Sequence, residues 1–589
     1  MNRWLLIPVV LAMAFAPLLW KGWYVDEFIF HYTATRWLGF IHVLTNDALV
    51  FALLLLLLYP SYWPSIPFGF AVIMRLLGLL IYLVYVIDLA VIVNFNTHLV
   101  LGDALKYADY AWKYVQQIYD LSTETATVLA MLFAITLSLF IFSRYTIKTP
   151  PRPLLLGIMV GLPLLSGFTD NDQYVHAWIY RNVFDYNLTI ASEAAPYSQS
   201  LIERVPAKDP EICTITRPKP KDIVILMVES LSAYQSRFFS GIQDWTPQLD
   251  AIAAQNLAFK QFYANGFITE DGEIALLTGL LPLYPPSSYN DDGGVSFASF
   301  YGVENSLPKL LKTQGYHSEF LTSADLAFGN TAAWARSVGF EYVEGHDHPD
   351  YDRWERFHFQ AAPDEALYRR ALDRIHRAHQ QSLLLFIKTV SSHHPYVNPD
   401  NKHASEAETF QYVDRQLGFF YRQLQADGFF EHGVLLIVGD HHSMAPLKAQ
   451  EVERFGHYQA AARVPLVVVG AQTEPALEEM PFQQVDVFNT LQGMVSGRQC
   501  HNDWRGVLWG EHRQAPRFIA HRRGDNRDKI SVFDGDQAYL IKLDGDHTSV
   551  ASSLPDDSGL RQALVDQINA LRIRRGLWAH SSEYAERSN

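Results

Sequence analysis

Three largely apolar segments in the second half of the chain end in side chains that can bind a cation or move a proton. Residues 223–228 stop at Glu229, residues 383–390 lead to His393, and residues 434–438 run into Asp440 and His441. Short apolar runs of this kind are typical of buried strands, and in an open α/β sheet ligands bind at the carboxyl ends of the strands. We therefore expect Glu229, His393, Asp440 and His441 to meet at one edge of a sheet.

Glu229, Asp440 and His441 offer two carboxylates and one imidazole. This mixed oxygen and nitrogen donor set suits Mn²⁺ or Mg²⁺, and Zn²⁺ as a further option. Each residue taken singly fits a helix cap or a surface ion pair. Together at one sheet edge, they predict a site for a divalent cation.

A candidate nucleophile lies between the first strand and the next apolar helix. Thr269 precedes Glu270-Asp271-Gly272-Glu273 and an apolar helical segment at residues 274–280. The position is that of a helix N-cap, so one interpretation is a plain capping threonine. The other is a hydroxyl activated by the cation for attack on phosphorus. The local sequence leaves both open.

Composition limits the class of protein. The chain has 589 residues, which is too long for one domain at about 150 residues each, and a formal charge of −15. An acidic chain does not have the basic face that phosphate backbones need, so we expect no nucleic-acid partner. Cys213 and Cys500 are the two cysteines, which excludes a disulfide framework. The sequence does not decide whether they pair.

Residues 1–168 are predicted to form a membrane domain. Its apolar segments are long enough for membrane spans at about 20 residues each. There are five of them, at residues 4–20, 38–59, 66–95, 126–142 and 154–168. Arg144, Lys148 and Arg152 lie between the last two spans, so that loop is expected inside and the soluble half outside.

The soluble half alternates strand and helix patterns, which predicts an α/β domain with a mainly parallel sheet. We expect a juxtamembrane connector at residues 169–220, a catalytic core at 221–515, and a small antiparallel sheet with a closing helix at 516–589. In the last region, Asp534-Gly535 marks a hairpin turn.

In motif order and spacing, the chain resembles the alkaline phosphatase and sulfatase superfamily, and most closely the lipoteichoic acid synthase family of membrane phosphoglycerol transferases. The matching pieces are Val228-Glu229-Ser230-Leu231, Thr246-Pro247-Gln248-Leu249-Asp250, Thr269-Glu270-Asp271-Gly272-Glu273, His393-His394-Pro395-Tyr396 and Gly439-Asp440-His441. The resemblance covers nearly the whole chain, because five spans before one soluble domain is also that family's layout.

The resemblance implies that Thr269 is the nucleophile and that Glu229, Thr269, Asp440 and His441 bind one divalent cation, Mn²⁺ or Mg²⁺. It implies that His393 contacts the phosphate, with Asn330 as a second substrate-binding candidate. The expected protein is an integral enzyme of the bacterial cytoplasmic membrane with an extracytoplasmic (periplasmic) catalytic domain. It would move a phosphoglycerol-like group from a membrane phospholipid to a glycan or lipid acceptor.

One stretch departs from the family pattern. Where lipoteichoic acid synthases carry a His-Gly run and then Phe-Trp-Asn-Arg, this chain has Thr322-Ser323-Ala324-Asp325 and Phe328-Gly329-Asn330-Thr331. The missing His, Trp and Arg put the transferred group in doubt. Alternatives are therefore a phosphodiesterase or sulfatase-type hydrolase, a phosphoethanolamine transferase and, from another class, an inactive sensor or scaffold.

Overall fold

The computed structural model of the protein describes residues 17–25, 36–58, 66–95, 98–101, 179, 181–191, 197–206, 210–215, 222–283, 303–377, 381–470, 473–510, 512–523, 529–550 and 558–574. The chain forms two compact units, residues 1–192 with 445–449, and residues 193–444 with 450–589. The finer boundaries expected after residues 168, 220 and 515 stay predictions.

The first unit contains the helices α1 (Arg36–Leu58), α2 (Phe68–Phe95) and α3 (Val183–Ala191). Within the described residues, one helical segment, Phe68–Ile92, is long and apolar enough to cross a membrane; the apolar part of α1 is shorter, Thr45–Leu54. Most of the first expected span and all of the fourth and fifth lie outside the described residues. The layout of five spans therefore stays a prediction.

Two buried aspartates in the described part of this unit are paired. Asp47 is fully buried, with Lys21 Nζ 2.6 Å away and the Tyr85 hydroxyl donating to it at 2.7 Å. His98 Nδ1 lies 2.9 Å from the carboxylate of Asp88, which is also fully buried. A charge removed from water is costly unless it is partnered, so these contacts favour one arrangement of the segments that carry them.

The second unit is built on a sheet of eight strands in the order β5-β4-β6-β2-β7-β8-β3-β9. The neighbours from β5 to β7 pair in parallel, β8 runs antiparallel to β7 and β3, and β3 pairs in parallel with β9. The prediction of a mainly parallel sheet is confirmed. The strands are β2 (Asp222–Val228), β3 (Leu257–Tyr263), β4 (Tyr316–Thr322), β5 (Tyr342–Glu344), β6 (Ser382–Lys388), β7 (Gly433–Gly439), β8 (Leu466–Gly470) and β9 (Ala476–Gln483).

Helices cover both faces of this sheet. Alternate residues of β2 point to opposite faces, so Ile225 joins one apolar cluster and Leu226 joins the other. This burial on both faces explains why the central strands read as unbroken apolar runs. The helices of the unit are α4 (Gln199–Ile202), α5 (Pro247–Gln255), α6 (Thr269–Thr278), α7 (Leu307–Lys312), α8 (Thr331–Ser337), α9 (Asp364–Arg377), α10 (Glu406–Ala426), α11 (Ala449–Phe455), α12 (His457–Ala460), α13 (Gln484–Ser496) and α14 (Ser558–Arg574).

A second sheet of four antiparallel strands follows, as expected. It consists of β11 (Ile519–Arg522), β12 (Lys529–Asp534), β13 (Gln537–Lys542) and β14 (Ser549–Val550). Asp534 pairs with Gln537 across the predicted hairpin, where Gly535 adopts a positive φ of 58°. Ile530, Ile541 and Ile568 of α14 share one apolar cluster, so the closing helix packs on this sheet.

The two cysteines pair. Strand β1 (Ile212–Ile215) runs antiparallel to β10 (Arg498–His501), with Cys213 opposite Cys500, and the two sulfurs form a disulfide across 287 residues of sequence. The bridge ties the segment before the central sheet to the strand that follows α13. Such bridges form and persist in oxidising compartments.

We expect the double variant Cys213→Ser/Cys500→Ser to unfold more easily by roughly 2–4 kcal/mol, because the bridge closes a very long loop in the unfolded chain. Thermal unfolding with and without reductant measures the effect. Reductant should lower the unfolding midpoint of the wild type and leave that of the double variant unchanged. An equal response of both proteins would contradict a structural bridge.

Candidate active site

The register of two neighbouring strands brings the acidic residues together. Val228 of β2 lies opposite Gly439 of β7, so the residues that follow, Glu229 and Asp440, leave the sheet side by side. Together with His441 they are buried, and one ligand atom from each lies within 4.8 Å of the others. The structure thus brings together three of the residues that the sequence placed at one sheet edge.

Thr269 is directed at this cluster. Its Oγ1 lies 3.2 Å from Glu229 Oε2 and 3.4 Å from His441 Nε2. The N-cap of α6 is Ile268, and Thr269 is the first helical residue, so the interpretation of Thr269 as the capping residue is wrong. Its hydroxyl contacts the acidic cluster instead.

A glycine allows α6 to approach the end of β7. A Cβ atom on Gly272 would lie 2.7 Å from the backbone oxygen of Asp440, closer than such atoms come. The Gln484 side chain also donates to that oxygen at 2.7 Å. Close contact between helix and strand end therefore requires glycine at this position, one turn after Thr269.

Asp440 has one satisfied oxygen and one unsatisfied oxygen. Its Oδ1 accepts hydrogen bonds from the backbone N–H groups of Ser230 and His441, both at 2.7 Å. Its Oδ2 is buried and accepts no hydrogen bond from the part of the chain that the structure describes. A buried carboxylate oxygen without a donor is costly, and a cation would satisfy it.

His441 is oriented as a ligand. Its Nδ1 donates to the carbonyl of His442 at 2.7 Å, which leaves Nε2 facing the two carboxylates. Nε2 lies 3.3 Å from Asp440 Oδ2 and 3.5 Å from Glu229 Oε1. A backbone hydrogen bond of this type commonly fixes the tautomer of metal-binding histidines.

The pKa shifts of these three groups are those expected when two carboxylates are buried side by side with one imidazole. Burial and the charge of Glu229 hold the pKa of Asp440 well above its usual range. Burial opposes ionisation of Glu229 too, but hydrogen bonds from His441 and Ser230 lower its pKa. Burial would lower the pKa of His441, yet Asp440 and Glu229 raise it to about 10. The donor set and its charge fit a divalent cation.

His393 lies in a turn anchored by a buried carboxylate. Asp364 Oδ1 accepts from the backbone N–H groups of Val390 and Ser391, both at 3.1 Å. His393 Nδ1 donates to the carbonyl of His394, so its Nε2 is left as a proton acceptor. Burial lowers the pKa of His393, although Glu229 opposes this shift. The ring is therefore neutral near pH 7 and suited to accept a proton.

Asn330 lies elsewhere. It precedes α8 in a left-handed conformation, with φ 57°, and no described contact joins its side chain to Glu229, Thr269, Asp440 or His441. Its neighbour Phe328 does contact Phe359, whose ring packs edge-on against His393 at 4.7 Å. A substrate-binding role for Asn330 stays a prediction.

Two supporting residues were not found from the sequence. Ser230 adopts a left-handed conformation with φ 57°. Its hydroxyl donates a hydrogen bond to Glu229 Oε1 at 2.9 Å, and its backbone N–H donates one to Asp440 Oδ1. Thr389 Oγ1 accepts from the N–H of Glu229 at 3.0 Å. A serine or threonine beside a strand end is too common to signal such a role. Only the backbone conformation of Ser230 marks it.

We expect Asp440→Asn and Glu229→Gln each to weaken Mn²⁺ binding by roughly tenfold or more, because each removes a charged ligand of similar shape. Isothermal titration of the purified protein with Mn²⁺ measures the dissociation constant. Asp566→Asn, which removes an exposed carboxylate from α14, is the matched control. Unchanged Mn²⁺ binding in both ligand variants would move the site elsewhere.

Comparison with known proteins agrees with this architecture. Residues 221–497 match the family model described as Sulfatase. Over 334 residues the chain is 25% identical to "Phosphoglycerol transferase I" of Escherichia coli strain 55989 and to its counterpart in Shigella boydii serotype 18, with 49% of this chain and 42% of each relative covered. The match thus spans less than half the length of these curated relatives.

Two solved structures are also similar. A protein in the alkaline phosphatase superfamily from Vibrio parahaemolyticus aligns at a TM-score of 0.47 with 20% identity, covering 67% of this chain and 97% of that one. The lipoteichoic acid synthase LtaP from Listeria monocytogenes aligns at 0.45 with 17% identity, covering 65% and 97%. The match to the Sulfatase family model covers residues 221–497, just under half of this chain, and it is the comparison that bears most directly on the class of the protein.

Proposed function

We propose that this protein is a membrane-anchored, metal-dependent transferase. It would move a phosphoglycerol-like group from a phospholipid, through a covalent ester on Thr269, to a glycan or lipid acceptor. The observation that carries this proposal is the Thr269 hydroxyl, 3.2 Å from Glu229 at a buried cluster of cation ligands. The name of the curated relatives, phosphoglycerol transferase, supports the choice of group.

Glu229, Asp440 and His441 would hold one divalent cation, Mn²⁺ or Mg²⁺, with Thr269 as the fourth ligand. The bound cation would make the Thr269 hydroxyl more acidic and neutralise charge on the phosphoryl oxygens. The Oγ1 of Thr269 lies 3.2 Å from Glu229 Oε2, so its hydroxyl proton has a carboxylate acceptor within hydrogen-bond distance. The protein itself thus prepares the nucleophile.

The reaction then has two displacements at phosphorus. In the first, a bond forms from Thr269 Oγ to phosphorus and the bond from phosphorus to the diacylglycerol oxygen breaks. The proton that the Thr269 hydroxyl loses is balanced by the one that the diacylglycerol oxygen gains. In the second, the acceptor hydroxyl gives its proton to neutral His393 and forms the new bond to phosphorus, while the bond from Thr269 Oγ to phosphorus breaks and that oxygen takes the proton from His393. The net products are diacylglycerol and an acceptor that carries the phosphoglycerol-like group.

A lipid donor requires that the catalytic domain act at a membrane surface. Three features support an extracytoplasmic (periplasmic) domain on a bacterial cytoplasmic membrane. The α2 segment Phe68–Ile92 could span the membrane, and its Phe68, Ile73 and Leu76 are exposed, as lipid-facing side chains would be. The disulfide suits an oxidising compartment. The basic loop at residues 144–152 favours the same orientation.

A hydrolase that uses water as the acceptor is the main alternative, because it would share every group of the site. A sulfatase is disfavoured, since Thr269 lacks the Cys or Ser followed by x-Pro-x-Arg that sulfatases carry at the nucleophile position. Phosphoethanolamine transferases usually carry several disulfides, and this chain has cysteines for one. An inactive scaffold would have no need of four converging functional groups.

We expect Thr269→Ala to lose activity by on the order of 10³-fold or more, because alanine cannot form the ester. Thr269→Ser should retain part of the activity, since it keeps the hydroxyl. The measurement is release of diacylglycerol from phosphatidylglycerol by the Mn²⁺-loaded protein. Thr313→Ala, at an exposed threonine after α7, is the control. Near wild-type turnover by Thr269→Ala would remove Thr269 as the nucleophile.

Residues 322–331, which differ from the lipoteichoic acid synthase pattern, lead to a second expectation. Without the His, Trp and Arg of the lipoteichoic acid synthases, the site lacks the hydrogen-bond donor, stacking face and bidentate phosphate partner of that family. We expect transfer of a single group, or hydrolysis, rather than chain growth. Mass spectrometry of products from labelled phosphatidylglycerol distinguishes these outcomes, and long poly-glycerol-phosphate chains would contradict the expectation.

A further inference from the structure

Lys388 is the last residue of β6, and its side chain reaches the helix that carries the nucleophile. Its Nζ lies 2.7 Å from Oε1 of Glu273, and 15% of the lysine side chain is exposed. Glu273 follows Thr269 by four residues in α6, so the two lie on the same face, one turn or about 5.4 Å apart along the helix. The ammonium therefore lies beside the Thr269 face of α6.

The surrounding charges keep Lys388 protonated. Burial opposes the charge, but Glu273, Glu270 and Glu229 together raise the pKa of Lys388 above its ordinary value. Lys388 in turn contributes to the lowered pKa of His393, after the larger effect of burial. The ammonium thus interacts with both Glu229 and His393, two groups of the candidate active site.

Charge balance shows why the site needs this cation. Glu229 and Asp440 together match the charge of one divalent ion. Asp271 is paired with Arg522 at 3.0 Å, and both side chains of that pair are at least 96% buried. A phosphoryl group would bring further negative charge to the same place. The Lys388 side chain is 15% exposed and that of Arg522 is 4% exposed, so Lys388 is the more accessible of these two cations.

The ammonium of Lys388 can serve a second partner. It carries three N–H donors, and its described side-chain contact is the ion pair with Glu273. Glu273 is buried, and neither of its carboxylate oxygens has a hydrogen-bond partner among the described residues, so breaking the pair would leave a buried charge without a partner. Near residues 322–331, Arg356 donates to the backbone oxygens of His346 and Gln360.

We infer that Lys388 binds the phosphoryl oxygens of the substrate while it keeps its contact with Glu273. The inference deepens the proposed function and rests on it. Lysine is a common phosphate ligand with three N–H donors on a flexible stem, so it can contact both partners. The ligand class is a phosphoryl oxyanion, either in a lipid head group or as free phosphate.

Titration calorimetry of the Mn²⁺-loaded full-length protein tests this, with inorganic phosphate and the soluble head-group analogue glycerophosphoglycerol as separate probes. We expect Lys388→Met to bind both probes about tenfold more weakly, because a charged hydrogen bond is lost. The Mn²⁺ dissociation constant should stay unchanged. The probe that binds the wild type more tightly indicates whether the natural ligand is a head group or free phosphate.

The double variant Glu273→Gln/Lys388→Met distinguishes two explanations. In one, Lys388 binds the phosphate directly; in the other, Lys388 only neutralises the charge of Glu273. If Lys388 binds phosphate, the double variant stays as weak as Lys388→Met, while Glu273→Gln binds at least as tightly as the wild type. Lys312→Met, which removes an exposed lysine paired with Glu341 at 3.1 Å, is the control.

Three results would overturn the inference: recovery of wild-type affinity in the double variant, unchanged affinity in Lys388→Met, or no binding of either probe by the wild type. A protein that binds the probes as expected but transfers no group from phosphatidylglycerol would overturn the proposed function alone.

Discussion

The site depends on two buried carboxylates held side by side at the ends of neighbouring parallel strands. Glu229 and Asp440 follow Val228 and Gly439, which are paired in register, so the sheet itself sets their spacing. Two like charges removed from water repel each other strongly, which is why the pKa of Asp440 is raised. Backbone donors and His441 offset only part of that cost. A bound divalent cation would offset the remaining cost.

The small C-terminal sheet completes this arrangement by fixing the segment that leads to Thr269. Asn265 donates to Gln483 Oε1 and to the backbone oxygen of Ala520, both at 2.7 Å, and its own backbone oxygen accepts from Arg522. Arg522 also pairs with Asp271 inside α6. Residues more than 200 positions apart therefore set where the Thr269 hydroxyl points. A domain that lost this sheet would keep the ligands at the strand ends and misplace the nucleophile.

The central strands and the convergence of Glu229, Asp440 and His441 could be predicted, because burial on both faces leaves unbroken apolar runs and parallel strands end at one edge. The position of Thr269 as first helical residue could not, since it depends on Ile268 adopting the cap conformation. The disulfide was also beyond prediction, because pairing across 287 residues depends on the tertiary fold. Strand β9 is not evident from the sequence either, because Glu478 and Glu479 interrupt its apolar pattern at the sheet edge.

The candidate active site and the loops around it differ in how much sequence change the fold tolerates. The cation ligands and Thr269 rest on strand ends, a glycine contact and buried hydrogen bonds, so the chemistry of phosphoryl transfer tolerates little change there. The groups that would recognise the transferred head group lie on loops, such as the left-handed turn at Phe359 beside His393. Loops can change sequence without disturbing the sheet. This separation allows residues 322–331 to depart from the lipoteichoic acid synthase pattern while Glu229, Thr269, Asp440 and His441 stay together. Under the proposed function, specificity would therefore come from these loops and from the charge of Lys388, rather than from the candidate cation site.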